Sequence, residues 1–304
     1  MRLFMLEMKR LVKTRRTLIL VFIALVFSVI MAYLPVSFES INRPGEDGSI
    51  VELDGLEALQ FKKNYYRKTN GEVTPEKVAE ALRIYQSYVR EYGTLDEVPL
   101  DLYVENILAV RPVLQGLSEA FADPKTGIGT DLMKINPDEV EESYYEKCRN
   151  HLNDIMNLEQ KKYPAARQYA ADKYSKVEVP FQLYTGVSRD AFDYTELYIL
   201  VLMVLCTAIA APIFANEYQT GSDNIFRCAK YGRMRFAVVR ITASCCIFIA
   251  VFILGMAIHL TILNLAFGTE CLKTSMQMLF SIINLPNMNL GQLQLTLAVC
   301  GGIS

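Results

Sequence analysis

Residues 241–267 read ITASCCIFIAVFILGMAIHLTILNLAF, twenty-seven positions with no Asp, Glu, Lys or Arg. A bilayer core about 30 Å thick is crossed by roughly 20 helical residues, so this run is long enough to span one. Two further runs match it. Residues 18–34 contain Ser28 as the one clearly polar member, and residues 197–215 are interrupted only by Thr207 and Pro212. A single run could be a helix buried in a large soluble protein, but three would leave apolar surface that aggregates in water. A secretory signal is the rival for the first run, since basic residues precede it. Signal cores are usually shorter, however, and no small-x-small cleavage pattern follows Leu34.

Residues 295–304 open a fourth apolar stretch. Ten residues do not cross a bilayer, so we expect a fragment of a longer protein or a truncated product. The chain is 52% hydrophobic yet 21% charged. Both figures hold because the charge is segregated into the stretch between the first two runs and the short flanks.

Those flanks set the expected orientation. The first sixteen residues carry Arg2, Lys9, Arg10, Lys13, Arg15 and Arg16 against the single acid Glu7. The connection between the second and third runs carries Arg227, Lys230, Arg233, Arg235 and Arg240 against Glu217 and Asp223. Short positive connections stay on the cytoplasmic side, and two spans separate these, so both point to a cytoplasmic N-terminus. Phe4, Met8, Leu11 and Val12 can share one helix face. That predicts an amphipathic helix in the inner headgroup layer, with Lys9, Arg10, Lys13, Arg16 and, at the third span, Arg240 as interface anchors. The plainer alternative is a basic topological flank that lies on nothing.

The resulting expectation is an all-α membrane protein with a large helical extracellular domain between spans 1 and 2. In order, it has an interfacial helix at 1–16, a span at 17–35, the extracellular domain at 36–195 and a second span at 196–216. A cytoplasmic loop with a short helix follows at 217–235, then a third span at 236–267, an outer loop or short helices at 268–288, and the start of a fourth span at 289–304.

The outer segment, with 28 acidic and 19 basic residues between 36 and 195, shows few strand signals. Thr74-Pro75 reads as a helix start, Val78, Leu82, Tyr85, Val89 and Tyr92 recur at helical spacing, and Gly93 ends the run. A second stripe runs from Tyr103 to Phe121, with Pro112 expected to kink or split it. Asn136-Pro137 starts a third, with Val140, Tyr144, Cys148 and Leu152 on one side and acids in the first turn, where the helix dipole favours them. Further helices are expected near 53–68 and 165–176. The many tyrosines read as a bundle core with wet hydroxyls, or else as an aromatic binding surface.

Seven cysteines form no C-x-x-C pair and lie mostly in apolar runs, so neither a disulfide framework nor a zinc site is indicated. No phosphate-loop motif G-x-x-x-x-G-K-[ST], H-E-x-x-H or G-x-S-x-G occurs, and the basic clusters flank spans rather than forming a nucleic-acid surface. No catalytic residue, cofactor or metal ligand is therefore assigned. His259 and Asn264 are the polar members of the third run.

Residues 214–233, FANEYQTGSDNIFRCAKYGR, join the second and third spans. Ser222 can cap a short helix whose apolar face holds Ile225, Phe226 and Ala229, a shape suited to docking in a partner's groove. The pattern F-x-x-E-x-x-x-G, an apolar pair, then K-x-G-R with a basic approach to the next span, resembles the ABC-2 type transporter permeases. The resemblance implies that this loop holds a coupling helix contacting a separate ABC ATP-binding subunit through Glu217, Gly221, Ile225, Phe226, Lys230, Gly232 and Arg233. It also implies pairing with a second permease half, as homo- or heterodimer, in the plasma membrane of a bacterium. Six spans are usual in that family, with an insertion between the first two in some members. The implied function is export of an unidentified substrate by a subunit with no ATPase of its own. A membrane-anchored sensor or scaffold with an extracellular ligand-binding domain is the alternative. A sensor should continue from its second span into a signalling domain, whereas this chain returns to the membrane after some twenty-five residues.

Overall fold

The computed structural model describes residues 2–45, 49–211 and 232–303, with backbone only at Gly232, Arg233 and Ile303. In chain order the helices are α1 (Arg2–Lys13), α2 (Arg15–Ser37), α3 (Gly55–Tyr66), α4 (Pro75–Tyr92), α5 (Leu100–Leu102), α6 (Leu108–Leu114), α7 (Leu117–Ala120), α8 (Pro137–Glu159), α9 (Pro164–Tyr174), α10 (Arg189–Ala210), α11 (Gly232–Phe267), α12 (Met276–Leu279) and α13 (Leu290–Ile303). Two antiparallel pairs interrupt them. They are β1 (Ser40–Pro44) with β2 (Ile50–Asp54), and β3 (Gly71–Glu72) with β4 (Gln182–Leu183). The protein is mostly helical, and α2, α10 and the stretch Met234–Phe267 of α11 are long and apolar enough to cross a membrane. The chain forms two compact units. The first comprises Met1–Pro35, Asp190–Leu265 and Leu295–Ser304; the second comprises Val36–Arg189 and Ala266–Gln294.

In the first unit, α2 has 23 residues, about 34 Å at 1.5 Å per residue. Helix α11 has 36 residues, about 54 Å by the same rise, so it outlasts the hydrocarbon and has room for Arg235 and Arg240 near its basic start. Helix α10 begins at Arg189, ahead of the expected span, with Asp190 in its first turn, where the dipole stabilises an anion. The core gathers Ala24, Tyr198, Ile199, Leu202, Cys206, Ile247, Val251 and Phe252. A Cβ on Gly255 would collide with the Tyr198 hydroxyl and meet Leu202, so this glycine sets how closely α11 approaches α10.

The outer face of this unit is equally apolar. Ile19, Phe22, Leu200, Val204 and Ile253 are all more than half exposed. Water penalises such a surface, and hydrocarbon does not.

In the second unit the sequence-level helices form with adjusted ends. Thr74 Oγ1 accepts the Lys77 amide at 3.3 Å, Pro75 opens α4, and Gly93 at φ 90° closes it in a conformation that disfavours side chains. Asn136 caps α8, accepting the Asp138 amide at 3.1 Å. Val140, Tyr144, Cys148 and Leu152 then bury one stripe in the core with Val78, Leu82, Val113, Leu117 and Phe181.

Three expectations change. Pro112 lies inside α6, and the chain breaks instead at Gly116, φ 83°. The proline ring opposes the carbonyl four residues back, at Leu108, and a wider π turn at Tyr103–Ile107 ends just before it. The start of the first outer helix is a strand. Residues 50–54 pair with β1 in the register Ser40↔Asp54 to Pro44↔Ile50, and the helix begins only at Gly55. Two core tyrosines spend their hydroxyls on backbone groups rather than water. The Tyr174 hydroxyl donates to the Ile282 carbonyl at 2.8 Å, and Tyr145 accepts the Phe181 amide at 2.9 Å while donating to the Val73 carbonyl. These hydroxyls tie remote segments together.

Candidate functional site

Of the coupling positions, Glu217, Gly221, Ile225, Phe226 and Lys230 lie outside the described residues, and Gly232 and Arg233 open α11. The basic anchors separate into two groups. Lys9, Arg10 and Lys13 are exposed on α1, and Arg16 is exposed on the next turn, 3.4 Å from the Ala208 carbonyl. Arg240 differs from its expected role, being only 1% exposed. Its Nε stands 3.6 Å from Glu7 Oε2, and its guanidinium lies 4.2 Å from the Phe236 ring centroid. Arg10 Nε reaches the same Glu7 oxygen at 3.4 Å. The cause is the placement of α1. Its Met8 and Leu11 pack on the helical core, which brings Glu7 inward to meet Arg240.

A second polar seam crosses this unit. His259 is fully buried, with Nε2 3.0 Å from Thr195 Oγ1 and Nδ1 3.4 Å from the Ser28 carbonyl. Thr195 also donates to the Ala191 carbonyl at 2.7 Å, and the Tyr198 ring stacks on the imidazole at 4.6 Å. The seam joins α2, α10 and α11. Polar groups within apolar helices cost free energy unless they pair with each other. His259 and Ser28 were legible as polar members of their runs; Thr195, ahead of the second run, carried no such signal.

A concavity lies wholly in the second unit. It has a volume of about 590 Å³, within the usual range for small-molecule sites. Its walls come from α3, α4, α6, the segment 183–188 and residues 274–290. The chain from Phe181 into that segment is held from both sides. Val73 N–H donates to the Phe181 carbonyl at 2.8 Å, and Tyr184 N–H donates to Thr274 Oγ1 at 2.8 Å. Asn70 Oδ1 accepts both the amide and the hydroxyl of Thr185 at 3.0 Å.

The lining mixes aliphatic side chains with Tyr66, Tyr85 and Tyr184, and the charged members are Glu39, Lys62, Lys63 and Arg111. Lys62 is paired with Glu39 at 2.7 Å. Lys63 donates to the Ala266 carbonyl at 2.6 Å, and Arg111 to the Tyr103 hydroxyl at 2.8 Å. Among the described residues neither cation has a carboxylate within salt-bridge distance. Burial lowers the Lys63 pKa, as does nearby Arg67, against an opposing contribution from Cys271. Burial also pushes Tyr66 up to about 12, so its phenol stays a hydrogen-bond donor at neutral pH. An anion beside the Lys63 ammonium would offset its desolvation.

Among the described residues no group of three or more His, Cys, Asp or Glu could hold a metal ion. No protein-family model, curated protein or solved structure matches the chain.

Proposed function

We propose that the chain is the membrane-spanning permease subunit of an ABC exporter in a bacterial plasma membrane, with its N-terminus in the cytoplasm. The observation that carries this reading is the stretch 214–233, with its F-x-x-E-x-x-x-G and K-x-G-R elements, set between two membrane-length helices that end at Ala210 and begin at Gly232. Movement of an ATP-binding subunit against Ile225 and Phe226 would press directly on α10 and α11. Because the sequence holds no phosphate loop, the energy comes from a separate protein. The 36–195 segment would lie outside and receive, gate or release substrate, and a second permease half would complete the path.

Purification of the protein with its candidate ATPase in mild detergent tests the reading. The wild type should retain the ATPase, and Glu217→Lys combined with Phe226→Asp should release it. Retention by the double variant would sink the coupling assignment and leave a membrane-anchored sensor or scaffold. Labelling of cysteines introduced at 217–230 by impermeant reagents tests sidedness, and labelling from the outer medium would end the exporter reading.

A further inference from the structure

We propose that the cavity of the second unit binds a single-chain amphiphile with an anionic head, held by Lys63 or Arg111, whose hydrocarbon tail lies along the partly exposed lining residues Pro112, Leu132, Val187 and Leu279.

Three observations carry it. The walls are largely apolar, aliphatic side chains and three tyrosine rings together, and an apolar wall suits a flexible hydrocarbon chain that leaves water. The cavity reverses the charge of its surroundings. Residues 36–195 hold 28 acids against 19 bases, whereas the lining holds three cations and one carboxylate. That carboxylate, Glu39, is already taken by Lys62. Finally, the two remaining cations have donors to spare. An ammonium offers three donors and a guanidinium five; Lys63 is seen donating to one carbonyl and Arg111 to one phenol. Arg111 and Gln115 are exposed while Leu114 beside them is buried, so a charged head can enter beside a dry wall. A ligand without charge would leave Lys63 half-desolvated with nothing gained, and a cationic one would be repelled.

The full chain in lipid nanodiscs, with no ATPase present, is incubated with palmitic acid bearing a diazirine in its chain, irradiated and mapped by mass spectrometry. Unspecific partition into the bilayer labels the exposed faces of α2 and α11 and serves as the internal reference. Saturable labelling of Pro112, Leu132, Val187 or Leu279 is expected in addition. Dodecanoate or dodecyl phosphate should compete with it, the stronger one identifying the head as carboxylate or phosphate, and dodecyltrimethylammonium should not. Lys63→Glu with Arg111→Glu should lower the cavity labelling about tenfold or more, since a charge-assisted hydrogen bond contributes about 1.5–3 kcal/mol. Lys63→Arg with Arg111→Lys should keep it, which separates lost charge from lost folding.

Labelling confined to α2 and α11 would overturn the proposal. So would cavity labelling that survives charge reversal, or that the cationic amphiphile displaces equally well. The assay does not involve residues 214–233, so it succeeds or fails separately from the transport reading.

Discussion

The two units of this chain are built inside out with respect to each other. In the first, large apolar side chains such as Phe22 and Val204 face outward, while His259, Thr195, Ser28 and Arg240 are buried. In the second, Leu82, Ile107, Tyr144 and Phe181 are buried, and the carboxylates of Asp138 and Glu141 reach outward to Arg83. Opposite patterns of burial are what an aqueous and an apolar surrounding each favour, and the first unit holds the helices apolar enough to cross a membrane. Water rewards burial of hydrocarbon, whereas in a bilayer the exterior is already apolar, and contact between helices rests on close packing and paired polar groups.

The largest test of this contrast is a matched pair. Phe181→Ala, at 0% exposure in the second unit, should lower stability by about 3–5 kcal/mol. Phe22→Ala, at 68% exposure on α2, should change thermal stability in lipid by under about 0.5 kcal/mol. Comparable losses in a nanodisc melt would show that Phe22 packs against protein rather than lipid.

The buried ion pair comes next. Glu7→Gln leaves Arg240 buried beside a neutral group, and breaking such a pair costs about 3 kcal/mol. Glu7→Gln with Arg240→Met should recover most of that loss in the same melt. A double variant as unstable as the single one would mean that packing, and not charge, holds α1 in place.

Gly255→Leu would force α11 away from Tyr198 and Leu202, at about 1–3 kcal/mol for overpacking. Limited proteolysis should show the first unit loosened and the second unchanged.

A smaller, pH-dependent effect belongs to the second unit alone. His151 is buried, and burial lowers its pKa below 6.5 against opposing contributions from Glu119 and Asp154. The unfolded chain therefore binds the proton more readily. Stability should fall as pH drops below about 6.5 and level off beneath the lowered folded value. His151→Gln should flatten that part of the stability curve measured by hydrogen exchange.

Smallest is the cap. Thr74→Ala removes the acceptor for Lys77 N–H and should cost about 1 kcal/mol, read as faster exchange in the first turn of α4.

Much of the fold could be read from residue order. Long uncharged runs announced α2, α10 and α11, and the Thr74-Pro75 and Asn136-Pro137 pairs marked the starts of α4 and α8. These signals are local, since length, periodicity and capping involve residues a few positions apart. The β1–β2 pair was missed although Ile50, Val51 and Leu53 are good strand residues, because the apolar spacing from 53 onward also suits a helix. The pairing within the polar seam, and the cavity, left no linear trace. Thr195 meets His259 across 64 positions, and Asn70 meets Thr185 across 115.

Sequence alone thus determined which segments are helical, which are apolar enough for a membrane, and where the basic flanks fall, because each depends on composition within a window. Only the tertiary structure decided that Arg240 turns inward to Glu7, that Tyr145 and Tyr174 spend their hydroxyls on remote carbonyls, and that Lys63 and Arg111 line one cavity. Those outcomes depend on which surfaces meet, and a side chain's partner is set by packing between segments far apart in the chain.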